Sequence, residues 1–256
     1  MYPELFRIGN FTVSSFGLMV AIAFLAGYWI TALEFKRKNI DEKLLGNILL
    51  VCMLGGIGGA KIMYIFENVP IKELISNPLT HILSRGGLTL YGGFIGAVFL
   101  IWILTFKSKV KFFSVMDAMS PALAIGHSIG RVGCFLVGDD YGVKSDLPWA
   151  MAFPKGLPPT TDSVHPTQVY EVVLMGLIFF VLWKLRKRNM PDGWLFSILL
   201  IIVGIERFLI EFIRNTTPSP IAGLSVAQVI AIILILIGLF LNLNLAKSKD
   251  VKEKAS

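Results

Sequence analysis

The sequence is poor in charge and nearly devoid of cysteine, and each shortage excludes a class of protein. Charged residues make up only 16% of the 256 positions, where a soluble domain carries about a quarter, so the composition argues against a water-soluble globule. Disorder needs low hydrophobicity and high charge, and a 55% hydrophobic chain has neither. Twelve prolines and 24 glycines are too few for a low-complexity or collagen-like chain. Cys52 and Cys134 cannot build a disulfide framework, and neither lies at a Cys-x-x-Cys or Cys/His spacing that would suggest zinc. A dinucleotide fingerprint is also absent, so neither metal nor cofactor is expected. What the chain has in quantity is apolar length, with a mean hydropathy of +0.71. It reads as an integral membrane protein.

A bilayer core is crossed by about 20 mostly apolar residues. Seven runs qualify, near 15–33, 46–66, 87–106, 112–130, 168–183, 194–213 and 223–246. They take up more than half the chain and leave short loops plus one longer stretch, 131–167. The expected fold is therefore an all-α integral membrane protein of about seven transmembrane helices. A polytopic membrane domain covers 1–246, followed by a basic cytoplasmic tail at 247–256.

Lysine and arginine set the orientation. One set of loops holds Lys36, Arg37, Lys38 and Lys43, then Lys107, Lys109 and Lys111, then Lys184, Arg186, Lys187 and Arg188, then the tail lysines 247, 249, 252 and 254. The other set holds Arg7, Lys72, Arg85, Arg131, Lys144, Lys155 and Arg214, while Lys61 and Arg207 lie inside spans. This alternation puts the N-terminus outside, the C-terminus in the cytoplasm and 131–167 on the outer side. The first run has its basic cluster after it and no small-x-small cleavage site, so it reads as a retained span. The net charge of +7 serves topology and attraction to anionic lipid, and no nucleic-acid partner is expected. No internal repeat of the transporter kind is evident.

Ionisable groups inside spans are expensive and mark functional or paired structural positions. Lys61 follows the small-residue run Gly55-Gly56-Ile57-Gly58-Gly59-Ala60, which permits close helix approach. Asp117 and His127 lie in the fourth span, which Arg131 closes; Glu171 begins the fifth; Glu206, Arg207 and Glu211 interrupt the sixth. His127 and Arg131 share a helix face at i, i+4. Arg207, Glu211 and Arg214, at i, i+4 and i+7, predict one polar stripe, with Glu206 about 100° away. That stripe must face protein or water, as a buried ion-pair network, a binding site or the lining of a permeation path.

Glycine-rich segments flank these charges. Residues 84–93 lead into the third span and residues 130–142 leave the fourth. As non-helical backbone, such glycines would approach a ligand closely and their N–H groups could cradle an anion. Arg131 and Arg207, on different spans near the outer surface, make a clamp for a phosphate, a task suited to the guanidinium fork. The residues alone point to an outer-leaflet site for a phosphate-bearing lipid.

At these positions the chain resembles the prolipoprotein diacylglyceryl transferases, bacterial inner-membrane enzymes with the signature Gly-Arg-x-Gly-Asn-Phe-x-Asn-x-Glu-x-x-Gly. Gly130, Arg131, Gly133, Phe135 and Gly142 match it, while Cys134 and Val137 replace the asparagines and Asp139 the glutamate. Further pieces follow in order: Gly59-Ala60-Lys61, Leu90-Tyr91-Gly92-Gly93-Phe94-Ile95-Gly96, His165-Pro166-Thr167-Gln168-Val169-Tyr170-Glu171 and Arg207-Phe208-Leu209-Ile210-Glu211-Phe212.

The resemblance implies a multi-pass protein of the bacterial cytoplasmic membrane that moves diacylglyceryl from phosphatidylglycerol to the lipobox cysteine of a prolipoprotein signal peptide. It implies Arg131 and Arg207 as the essential arginines, with Glu211 orienting Arg207 and Asp139 steadying the loop or the incoming peptide. The family's histidine before Gly92-Gly93 is Tyr91 here, and its first-span tyrosine is Phe16. A phenol with a pKa of about 10 is a poor base near neutrality, so Tyr91 is expected to orient or donate a hydrogen bond, and His127 to supply the lost base. Cys134 is a structural small residue or a nucleophile. Substrate contacts are expected from Gly92, Gly93, Gly133, Lys61 and Arg214. A paralogue acting on another phospholipid or acceptor, and a transporter, are the other readings.

Overall fold

Apolar runs bounded by charge and proline become helices because only a helix satisfies its own backbone in lipid. The computed structural model describes residues 2–9, 11–82, 89–215 and 223–254; residues 84–88 of the segment expected to lead into the third span, and 255–256 of the tail, lie outside them. A hairpin of β1 (Glu4–Ile8) and β2 (Phe11–Ser14) comes first. Helices follow as α1 (Ser15–Lys38), α2 (Lys43–Asn68), two short turns α3 (Ile71–Ser76) and α4 (Pro78–Ile82), α5 (Leu90–Lys107) and α6 (Phe112–Val137). The loop after α6 forms a second hairpin, β3 (Met151–Phe153) with β4 (Thr160–Val164). Then come α7 (Thr167–Leu185), α8 (Trp194–Ile210) and α9 (Val226–Lys254).

Five of these helices are long and apolar enough to cross a membrane: α1, α2, α6, α7 and the Val226–Ala246 part of α9. The third and sixth runs also form helices, α5 and α8, of 18 and 17 residues. The chain is thus a helical, multi-pass membrane protein. Large apolar side chains such as Leu25, Phe180, Leu236 and Phe240 stand exposed on the helix surfaces, where lipid would cover them.

The chain divides into two compact units, Met1–Thr31 with Met116–Ser256, and Ala32–Val115. In the second, α2 and α5 pack backbone to backbone. A Cβ on Gly55 would lie 2.6 Å from the Gly96 carbonyl oxygen, and one on Gly93 would lie 2.8 Å from that of Gly56. Thr89 fixes the entry to α5 by donating both N–H and hydroxyl to the Ala60 carbonyl.

In the first unit, Ala124, Met175, Ile178, Leu182, Leu195 and Leu199 form a core among α6, α7 and α8. The Ser128 hydroxyl donates to the Val172 carbonyl at 2.9 Å and ties α6 to α7. Asp117, an intramembrane carboxylate, caps α8: it accepts the N–H groups of Gly193 and Phe196 at 2.9 and 2.8 Å, where helix donors are otherwise unsatisfied and the dipole is positive. Gly204 and Gly238 form reciprocal notches between α8 and α9, each filled by an isoleucine of the other helix, Ile235 and Ile201. Cap and notches together set the rotation of α8, and so the direction of its last turn.

Two local expectations are corrected. The segment after Gly130 is not open loop: α6 runs through Arg131, Gly133 and Cys134 to Val137. Val132, Phe135, Leu136 and Val137 keep the helix going, and the amides of Gly138 and Asp139 close onto the Cys134 carbonyl, so no amide cradle forms there. The polar stripe of the sixth span is also broken. After Ile210 the chain tightens into a 3-10 turn, Glu211–Ile213, and Arg214 is extended and bridged to Gly142. The 3-10 turn uses up the last helical carbonyls, and the bridge draws Arg214 toward the loop after α6.

Candidate active site

In the first unit three arginines meet around one carboxylate. The last turns of α6 carry His127 and Arg131, one turn apart on one face as their spacing requires. The second turn of α7 carries Glu171, whose side chain is only 2% exposed. Its Oε2 pairs with Arg131 Nε, and its Oε1 accepts from Arg214 Nη1 at 3.3 Å. Arg207, from the end of α8, places Nη1 3.9 Å from the same Oε1. Its Nη2 pairs with Glu211 Oε2 at 2.7 Å.

The second anchor comes from the loop. Asp140 bridges two of the arginines, with Oδ2 2.8 Å from Arg131 Nη1 and Oδ1 2.7 Å from Arg214 Nη2. Three guanidinium groups thus face Glu171, Glu211 and Asp140, which balances charge that lipid would not tolerate unpaired. The balance is not complete. Among the described residues, Arg207 Nη1 is buried with no hydrogen-bond acceptor, and Glu206 Oε1 is buried with no donor. A buried donor without a hydrogen-bond acceptor costs free energy even with a carboxylate 3.9 Å away, so it favours any acceptor that can reach it.

His127 lies inside this network. Its Nε2 accepts from Arg131 Nε at 3.3 Å and stands 3.6 Å from Glu171 Oε2. Cys134 is buried, and Arg131 Nη1 donates to its Sγ at 3.7 Å. The thiol and the carboxylates of Asp139 and Asp140 bring three possible ligand atoms within 4.8 Å of one another, but the cation they face is the Arg131 guanidinium itself.

Asp139 and Asp140 differ although they are adjacent. Burial pushes the Asp139 carboxyl above its ordinary range, and the charge of Asp140 adds to this. Burial acts on Asp140 in the same sense, but Arg214 and Arg131 outweigh it and hold its carboxyl below that range. The backbone under both is fixed from α7: Thr167 Oγ1 donates to the Asp140 carbonyl at 2.7 Å, and Gln168 Nε2 donates to that of Asp139.

Of the residues expected from sequence, Arg131, Arg207, His127, Glu211, Arg214 and Asp139 come together in this unit. Gly133 lies within α6, where a Cβ would press on Phe16 and Met19 of α1; its part is helix packing. Gly92 and Gly93 are likewise used against α2 in the other unit. That unit also holds Tyr91 and the buried Lys61, whose Nζ lies 5.7 Å from the Tyr64 ring centroid. Sequence reasoning gave Glu171 no central role and passed over Asp140. Counting charge would have pointed to both, since arginines of one site require carboxylates.

Fold and site together define a multi-pass membrane protein with a buried arginine–carboxylate site at the ends of its helices. The family model for prolipoprotein diacylglyceryl transferase matches residues 3–243. A phosphatidylglycerol–prolipoprotein diacylglyceryl transferase of Clostridium tetani is 32% identical over 242 residues, covering 94% of this chain and 96% of that protein. Proteins of the same name from Bordetella avium and Finegoldia magna are each 33% identical, covering 93% and 94% of this chain and 92% and 95% of their own lengths. The chain belongs to the prolipoprotein diacylglyceryl transferase family.

Proposed function

We propose that this protein transfers diacylglyceryl from phosphatidylglycerol to the lipobox cysteine of a prolipoprotein. The observation that carries the reading is the convergence of Arg131, Arg207 and Arg214 on one buried site, with a guanidinium N–H of Arg207 lacking an acceptor. In the reaction the cysteine sulfur forms a C–S bond to the glyceryl carbon. The C–O bond to phosphate breaks, glycerol phosphate departs with the electron pair, and the thiol proton passes to a base.

The arginines bind the phosphate and neutralise the charge that builds on it. Glu211 orients Arg207 through their 2.7 Å pair. Glu171 holds Arg131 and Arg214 in register, and Asp139 steadies the loop that meets the signal peptide. His127 takes the thiol proton. Arg214 adds positive charge for the lipid headgroup, Gly133 acts by letting α1 approach α6, and Gly92 and Gly93 do the same for α2 and α5. The enclosing apolar helices limit hydrolysis.

The same reading places seven spans in the bacterial cytoplasmic membrane, with the N-terminus outside, 1–246 as the membrane domain and 247–256 as a cytoplasmic tail. It follows the alternation of lysine and arginine between loops. Purified protein supplied with phosphatidylglycerol and a lipobox peptide should add the mass of one diacylglyceryl group to the peptide cysteine. No gain, or a gain on a peptide whose cysteine is replaced by serine, overturns the assignment.

A further inference from the structure

The carboxylate of Asp140 sits between Arg131 and Arg214 as an external anion would. Each of its oxygens takes one guanidinium, at 2.8 and 2.7 Å. Unlike Glu171 and Glu211, whose side chains are 2% and 3% exposed, that of Asp140 is 44% exposed. Its backbone does not need to move for the side chain to turn, because Thr167 and Gln168 hold the carbonyls of residues 139 and 140. Asp140 also adopts the left-handed conformation, φ +59°. A phosphate monoanion presents the same pair of oxygens to the same two forks. Both anions cannot hold the same N–H groups at once.

From this geometry we infer that Asp140 is an internal counter-anion of the phosphate subsite, which the lipid headgroup displaces on binding and which returns as glycerol phosphate leaves. It is a positioning residue acting through Arg131 and Arg214, and the inference rests on the phosphate-clamp reading above. With no lipid bound, the carboxylate keeps two guanidiniums paired in a setting where unpaired charge is costly. With lipid bound, the freed carboxylate turns to solvent, where hydration compensates it. The exchange lowers affinity for both substrate and product, and so favours release.

The prediction is opposite in sign to that for a structural role. Replacing Asp140 by asparagine keeps the shape and removes the competing charge. The KM for phosphatidylglycerol in mixed micelles and the inhibition constant of glycerol phosphate should both fall about two- to fivefold, the scale of one accessible ion pair. The value of kcat should hold or fall as release slows. Asp140→Ser, measured alongside, should move both constants in the same direction. Unchanged or raised constants in both variants overturn the exchange. Arg214→Ala separates this failure from that of the clamp: if it weakens glycerol phosphate inhibition while the Asp140 variants change nothing, only the exchange is wrong. If Arg214→Ala leaves that inhibition at the wild-type value, the clamp itself is wrong, and the exchange with it.

Discussion

Glu171 Oε1 lies 3.3 Å from Arg214 Nη1, so a carboxylate at the start of α7 is held by a guanidinium that follows the 3-10 turn after α8. The same carboxylate pairs with Arg131 of α6. One buried acid therefore joins elements far apart in sequence, and its removal would leave three guanidiniums facing only Asp140 and Glu211.

Glu171→Ala should lower stability by about 3–5 kcal/mol, the usual effect of stripping one partner from a buried ion pair. The double variant Glu171→Met with Arg214→Met should regain part of that loss while staying inactive. Thermal unfolding in detergent and peptide lipidation, measured on the same preparations, give the two readouts. Equal melting temperatures for wild type and Glu171→Ala would contradict the central position of this residue.

Arg131→Ala and Arg207→Ala should each cut kcat/KM by about a hundredfold or more, as expected when a charge-assisted donor to a developing anion is lost. Membrane insertion and helical content should persist, because Glu171 keeps Arg214 in either variant. Lysine at position 207 should recover little, since it lacks the planar fork. Lipidation by both alanine variants at the wild-type rate would refute the phosphate assignment.

His127→Asn keeps a hydrogen-bond acceptor near Arg131 but has no group to receive a proton. Its turnover should fall about a hundredfold with KM little changed, within the range of general acid–base catalysis. Unchanged turnover would make the imidazole part of the ion-pair network alone.

The adjacent aspartates should have opposite effects on acid stability. The carboxyl of Asp140 is held low, so it stabilises the fold above the ordinary value of about 3.9 and loses that contribution as pH falls through its folded value. Asp140→Asn should therefore melt earlier than wild type at pH 7, with the gap closing in acid. The carboxyl of Asp139 is raised, so its ionised form weighs against the fold. Asp139→Asn should melt later at pH 7, and that advantage should shrink as the wild-type acid protonates. Differences of one sign for both variants would contradict this.

The sequence made the helices legible because span length and apolar composition are local properties of the chain. His127 with Arg131, and Arg207 with Glu211, were legible too, since a helical turn brings them together. The position of Arg214 was not, because the 3-10 turn broke the period on which the stripe was read. The part played by each glycine was ambiguous for a related reason. A glycine permits a loop, a ligand or a neighbouring helix equally well, and Gly133 has Phe16 and Met19 against it while Gly92 has Met63. Asp140 and the central place of Glu171 depend on tertiary convergence, which no spacing rule encodes.

The clustering of charge also bears on how the chain is built. The last turn of α8 carries Glu206 and Arg207, a costly load for a segment meeting hydrocarbon alone. The opposite charges that offset Arg207 lie partly on α7, which is synthesised earlier, and just beyond α8 in Glu211. A nascent chain with α7 misplaced would offer Arg207 too little compensation to stay in the bilayer. The groups that would grip a lipid thus also test, during biogenesis, whether the helices have met in the right order.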